Sequence, residues 1–180
     1  MTEPTTSSLV IDRASDASRR ITTPWSEHIH FRVRGAESSD SVIIADYTCP
    51  VDFGPARHIH FAADEILEMR AGQIVVWLPD QTFVLGEGDT VSLPRGIPHA
   101  WRSCGEVPPR MIVTSTNGDL EKWFEEVVRR RLPPDAFEEF VQVGKKYRVE
   151  LNGPPLSDQE VAGIVAAAER RKESGNAVKD

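Results

Sequence analysis

The chain has 180 residues, a net charge of −7 and an apolar share of 39%, enough for one domain-sized core with an appended element. No Lys/Arg-rich block or stripe offers a footprint for phosphates, which argues against a nucleic-acid partner. No apolar run approaches the roughly 20 residues of a membrane-spanning helix, so no membrane partner is expected. Cys49 and Cys104 are too few for a disulfide framework, and residues 1–8 show no basic or apolar leader pattern; a reducing cytosol is the expected compartment.

Residues 1–20 are rich in Ser, Thr, Asp and Arg and short of large apolar side chains, the composition of a flexible N-terminal segment. Residues 21–116 then read as short strands. Ile29, Phe31 and Val33 alternate with polar residues, so Ile29 and Phe31 are expected inward and His28 and His30 outward. Further strand-like runs cover residues 42–47, 65–69, 73–78, 82–85, 90–93 and 110–114. Turn chemistry at Gly54-Pro55, Pro79-Asp80, Pro94-Arg95-Gly96 and Pro108-Pro109 separates them. This punctuation predicts an all-β sandwich or barrel. After Asn117-Gly118 the period changes: Leu120, Trp123, Phe124, Val127 and Val128 form one helical stripe, and Pro133-Pro134 ends it. A second helix holds Phe137, Phe140 and Val141. A third starts at Ser157, with Glu160 at the capping-box spacing. Residues 117–180 are therefore expected as a helical C-terminal extension, buried against its own barrel or against a second subunit. A homodimer is the expected assembly.

The densest chemical signal is His58-Ile59-His60, with Glu65 and Gly72 after it and then Gly88, Pro94, Gly96 and His99. Strand alternation sends His58 and His60 to one face and Ile59 to the other. Glu65 lies five positions past His60, the wrong parity for one straight strand, so residues 62–64 must turn and let Glu65 open the next strand. Three neutral imidazoles and one carboxylate suit Fe(II), Mn(II), Ni(II), Co(II), Zn(II) or Cu(II), and they leave coordination positions open, as a working site does. Asp64 is the alternative carboxylate. His28-Ile29-His30 repeats the His-x-His pattern but has no acidic residue at the matching position, and is read as a decoy.

The segment ending at Gly72, which contains HIHFAADEILEMRAG, resembles the first cupin motif: His-x-His, four residues, Glu, six residues, Gly. GDTVSLPRGIPH resembles the second: Gly, five residues, Pro-x-Gly, two residues, His. Asp52 departs from the first motif, which usually has Gly there, and Ser103 from the second, which often has Asn. The resemblance, over about residues 40–115, implies a jelly-roll-like cupin β-barrel with one divalent transition metal ion held by His58, His60, Glu65 and His99. It also implies turns at Gly72, Gly88 and Gly96. Residues 147–156 are similar to the tails of bacterial single-domain cupins of the quercetin dioxygenase-like type.

The expected function is metal-dependent oxygenation of a small phenolic or enol-type substrate. The alternatives are a metal-dependent isomerase, cyclase or decarboxylase, or a ligand-binding cupin without turnover. Glu65 is the candidate general base, on the expectation that an apolar interior raises its pKa. Arg57 and Trp101 are the substrate-binding candidates, and Trp123 and Phe124 are expected to pack. Cys49 and Cys104 are expected as small core or loop residues, with Cys104 close enough in sequence to His99 to sit near the site.

Overall fold

The computed structural model describes Asp12 and residues 16–176. Most of the N-terminal segment expected to be flexible lies outside the described residues. Within it, Ala17–Arg19 form a single 3-10 turn whose N-cap is Asp16, and β1 (Arg20–Thr22) follows at once.

Ten strands make up the body: β1, β2 (His28–Val33), β3 (Ile43–Thr48), β4 (Arg57–His60), β5 (Glu65–Ala71), β6 (Gln73–Leu78), β7 (Gln81–Leu85), β8 (Thr90–Leu93), β9 (Ala100–Cys104) and β10 (Arg110–Ser115). The helices are α1 (Asp119–Arg130), α2 (Phe137–Lys146) and α3 (Asp158–Asn176). One further strand, β11 (Val149–Gly153), lies between α2 and α3. The six-stranded sheet runs β1-β2-β3-β10-β5-β8, the three-stranded sheet β7-β6-β9, and β11 pairs with β4. Every pairing is antiparallel. Phe31, Tyr47, Leu67 and Met69 from the large sheet meet Ile74, Val76 and Trp101 from the smaller one in a single core. The all-β expectation holds, with one refinement. The ladders form three sheets and do not close into a barrel.

The C-terminal extension is not wholly helical. In β11, Val149 pairs with His60, Glu150 with Ile59 and Leu151 with His58. These residues carry no strong period of their own; the open edge of β4 makes them a strand. The helices bury their stripes on the same chain. Val127 and Phe140 pack with Trp25 and Trp123, while Ile164 of α3 joins Val75, Ala100, Cys104 and Leu156 behind the three-stranded sheet. The capping box of α3 is present: Ser157 N donates to Glu160 Oε2 at 2.8 Å, and Glu160 N donates to Ser157 Oγ at 3.3 Å. No described helix is long and apolar enough to cross a membrane.

Gly72 turns β5 into β6 at φ +70°, and a Cβ there would stand 2.7 Å from the carbonyl oxygen of Val107. Gly72→Ala therefore meets both a left-handed backbone and rigid main chain. It is expected to lower stability by roughly 2 kcal/mol or more in urea unfolding, and an unchanged midpoint would show that the loop at Val107 yields freely.

Candidate metal centre and its cavity

Local pairing brings the four residues together. His58 and His99 face each other across an antiparallel bridge: His58 N donates to His99 O, and His99 N donates to His58 O, both at 3.0 Å. Directly opposed residues project to the same face, and His60 is two positions along β4, so three imidazoles share one wall. Glu65 arrives from another sheet, opposite Leu93 on β8 and Ser115 on β10. The intervening turn resolves the choice of carboxylate. Asp64 receives Arg95 Nε at 3.0 Å and Nη2 at 2.8 Å on the outside, which leaves Glu65 pointing in.

The donor atoms of His58, His60, Glu65 and His99 all lie within 4.8 Å of one another, and all four residues are buried. His58 Nδ1 donates to Ala56 O at 2.8 Å and His99 Nδ1 to Ile97 O at 2.9 Å. A carbonyl can only accept, so both rings carry their proton on Nδ1 and turn the Nε2 lone pair inward. His58 Nε2 and His60 Nε2 are 3.1 Å apart. Glu65 Oε2 and His99 Nε2, 3.6 Å apart, are buried with no hydrogen-bond partner. Two orphaned acceptors beside two more imidazole nitrogens form an electron-rich pocket that a cation would complete. The donor set fits a divalent transition metal ion.

The electrostatics favour neutral His58 and His60 and an ionised Glu65, and they bias His99 towards its protonated form. Burial, aided by repulsion from His60 and His99, pushes His58 down to about 3. Burial also lowers His60. Burial alone would raise the Glu65 carboxyl, as the sequence suggested, but the His99 imidazole facing it and the neighbouring rings outweigh that and hold it at about 2. Glu65 is thus held as a carboxylate, whereas the expectation of a raised pKa would have poised it near neutrality. Burial opposes protonation of His99, but its proximity to Glu65 prevails and raises it.

Residues 48–115 match the family described as Cupin domain. The fold is that of a cupin. An uncharacterized protein of Methanocaldococcus jannaschii is 28% identical over 72 residues, 40% of this chain and 58% of that protein, so the chain spans under two thirds of its curated relative. Among solved structures, a conserved Streptococcus pyogenes protein of unknown function has a TM-score of 0.44 at 18% identity, over 54% of this chain and 79% of that one. A recombinant oxalate oxidase in complex with glycolate has a TM-score of 0.45 at 22% identity, over 53% of each chain. A Silicibacter pomeroyi sugar phosphate isomerase from a cupin superfamily also scores 0.45, at 17% identity, over 51% of this chain and 59% of that one.

A cavity of about 1000 Å³ opens from the cupin cluster, with His58, His60 and Glu65 in its wall. Trp101 lines it as expected, held edge-on by Tyr47 and Phe53 at centroid distances of 5.8 and 6.1 Å. Arg57 is not among the lining residues. Being adjacent to His58, it takes the opposite face of β4, stacks over Trp77 at 4.8 Å and donates to Pro154 O and Glu160. Cys104 is not among them either; it lies behind the three-stranded sheet beneath α3. Trp123 and Phe124 do line the cavity, so α1 packs and walls it at once. His28 is exposed, whereas His30 is covered on the outer face by Asp12, 3.1 Å away. Asp52 adopts φ +58°, the left-handed backbone for which glycine is the usual choice at this motif position. Ser103 accepts from Phe53 N at 2.9 Å and donates to Pro50 O at 3.2 Å, tying the approach to β4 in place.

Among the lining residues that sequence reasoning missed are two polar ones, Glu27 and Tyr47. Tyr47 was readable, because it alternates inward with Ile43 and Ala45. Glu27 sits in a turn before β2 and carries no sequence signal.

Protein purified without a metal-affinity tag is expected to carry about one ion per chain, and His58→Ala or Glu65→Gln to weaken retention by roughly ten- to a hundredfold. Elemental analysis after desalting decides this; equal retention by the variants would remove these residues from the site. Chelator-stripped protein is expected to lose stability as pH falls below 6.5. Between 6.5 and about 3 the unfolded chain protonates His58 while the native state does not, and His60 acts in the same direction. His99, being raised, is protonated in both states there and adds no slope. The loss should be roughly 1 kcal/mol per pH unit for His58, with His60 adding in the same direction. Urea titrations at pH 7, 6 and 5 measure it, and His58→Gln should reduce the slope.

Proposed function

We propose that the cupin cavity is the active site of a metal-dependent dioxygenase acting on a small phenolic or enol-type substrate. The observation that carries this is the pairing of two orphaned buried acceptors, Glu65 Oε2 and His99 Nε2, with a large and predominantly apolar cavity. His58, His60, Glu65 and His99 would hold one ion of Fe, Ni, Co, Mn, Cu or Zn. A bound ion of this kind supplies Lewis-acid chemistry and, for the redox-active metals, electron transfer.

The chain's own residues prepare the rest. The carbonyls of Ala56 and Ile97 fix the His58 and His99 tautomers, so the donors need no reorganisation. Leu67, Phe53 and Trp101 exclude water from the substrate side of the cluster and offer flat apolar faces. Such walls suit an aromatic skeleton. A highly hydroxylated or phosphorylated substrate would need many polar contacts, which this lining lacks. That contrast favours the oxygenase reading over metal-dependent isomerisation, cyclisation or decarboxylation of a polar substrate.

Stripped protein reconstituted with each of the six metals and supplied with flavonols and other enols is expected to consume oxygen with at least one redox-active ion. Uptake should fall at least a hundredfold in Glu65→Ala and His99→Ala, as oxygen-electrode traces would show. Conversion to an unoxidised product without oxygen uptake would replace the proposal with isomerase or lyase chemistry. Binding without any turnover would leave a ligand-binding cupin.

A further inference from the structure

The cupin cavity contains a second group of buried polar side chains, remote in sequence from the motifs. Glu27, in the turn between β1 and β2, is 5% exposed. Its Oε2 accepts from Thr23 Oγ1 at 2.5 Å and its Oε1 accepts from Tyr47 Oη. Tyr47, in β3, is also 5% exposed and meets Trp101 edge-on. Glu27 and Tyr47 line the same cavity as His58, His60 and Glu65.

A carboxylate buried beside two neutral hydroxyls is a costly way to tie a turn to a strand. It has a directional consequence. In the observed arrangement Tyr47 Oη donates to Glu27 Oε1 and Thr23 Oγ1 to Oε2, two hydrogen bonds that favour the carboxylate although burial raises its pKa. With its proton committed to Glu27, Tyr47 Oη offers a cavity ligand its lone pairs. Burial, followed by the charge of Glu27, lifts Tyr47 well above the ordinary phenol range, so it keeps that proton. A polar group docking there must be a hydrogen-bond donor. The remaining charges point the same way. Glu65 and Asp52 are acidic, and Arg102, the one Lys or Arg among the described lining residues, is occupied by Asp52 O, Leu156 O and Asp158. Away from the metal cluster, no Lys or Arg among the described lining residues is left free to meet a carboxylate or phosphate. Trp123 in the same wall has a buried Nε1–H without a partner, another polar atom that a ligand would complete.

We propose that Tyr47 and Glu27 form a second subsite that binds a neutral hydroxyl group of an aromatic substrate. Tyr47 Oη accepts the hydrogen bond, and Glu27 is the positioning residue that holds Tyr47 in that orientation. The proposal rests on the reading of the cavity as the site of a small phenolic substrate, and it narrows that class to aromatics that carry a neutral hydroxyl at the Tyr47 end of the cavity.

The test is anaerobic calorimetry, which separates binding from turnover. The probes are flavonols carrying one hydroxyl on the pendant ring, each paired with its methyl ether, which keeps the oxygen and removes the donor. Wild type is expected to bind at least one hydroxyl probe about tenfold more tightly than its ether. In Tyr47→Phe and Glu27→Met that ratio should fall to within about twofold of one, and in Tyr47→Phe ether affinity should stay within about twofold of wild type. Glu27→Met keeps a side chain of similar length, removes both acceptor oxygens and frees the Tyr47 proton, so it carries the result if Tyr47→Phe does not fold. A ratio that survives in the variants, a ratio absent from wild type, or no binding of any probe overturns the subsite. Absence of the ratio from wild type with oxygen uptake intact would sink only this proposal, whereas a wild-type ratio without oxygen uptake would sink only the dioxygenase reading.

Discussion

The carboxylate of Glu65 has been moved out of water and set against three imidazoles. Removing such a charge from solvent costs several kcal/mol unless partners compensate it, and the surroundings can be understood as that compensation. Alternation on β4 and the bridge between His58 and His99 place the rings around it. Backbone carbonyls of Ala56 and Ile97 take the outer ring protons, so lone pairs face inward. Arg95 holds Asp64 on the surface and keeps a second carboxylate away. What remains is a cluster rich in acceptors and short of donors, and a divalent cation satisfies it better than any residue nearby.

The cavity extends this logic. Close to the cluster the walls are apolar and aromatic, which sharpens every electrostatic interaction inside by excluding water. Farther along, α1 and α2 complete the enclosure with Trp123, Phe124 and Phe140. The same helices bury their own stripes in doing so, and one set of apolar contacts serves stability and enclosure together. β11 then lines up along β4 beside His58 and His60 and protects the backbone of the strand that carries two of the four donors. A segment well over a hundred residues from the start of the chain thus buttresses the site.

Much of this was legible beforehand, for reasons that differ residue by residue. The ligand set depends on local geometry: period-two alternation, a parity break that forces a turn before Glu65, and a Pro/Gly stretch before His99. Such features need no knowledge of distant partners. The same alternation also placed Arg57 on the face opposite His58, a consequence that its adjacency to the motif obscured. Proximity in sequence is not a shared face. The capping box of α3 was equally local and equally readable.

Where a residue's state depends on what packs against it, the chain alone was silent. Val149 and Leu151 become strand because β4 presents an open edge, and β propensity is decided largely by the partner. Glu27 becomes a buried acid because Thr23 and Tyr47 meet there. Glu65 stays ionised because His99 stands 3.6 Å from it, reversing the shift that burial alone would cause. The sequence by itself determined the all-β body, the four residues of the buried cluster and the helical stripes, since these follow from short-range periodicity and turn chemistry. Tertiary structure alone decided the open sheets, the returning strand, the helices' place on the cavity wall and the protonation states, because each is an interaction between elements that the chain brings together only on folding.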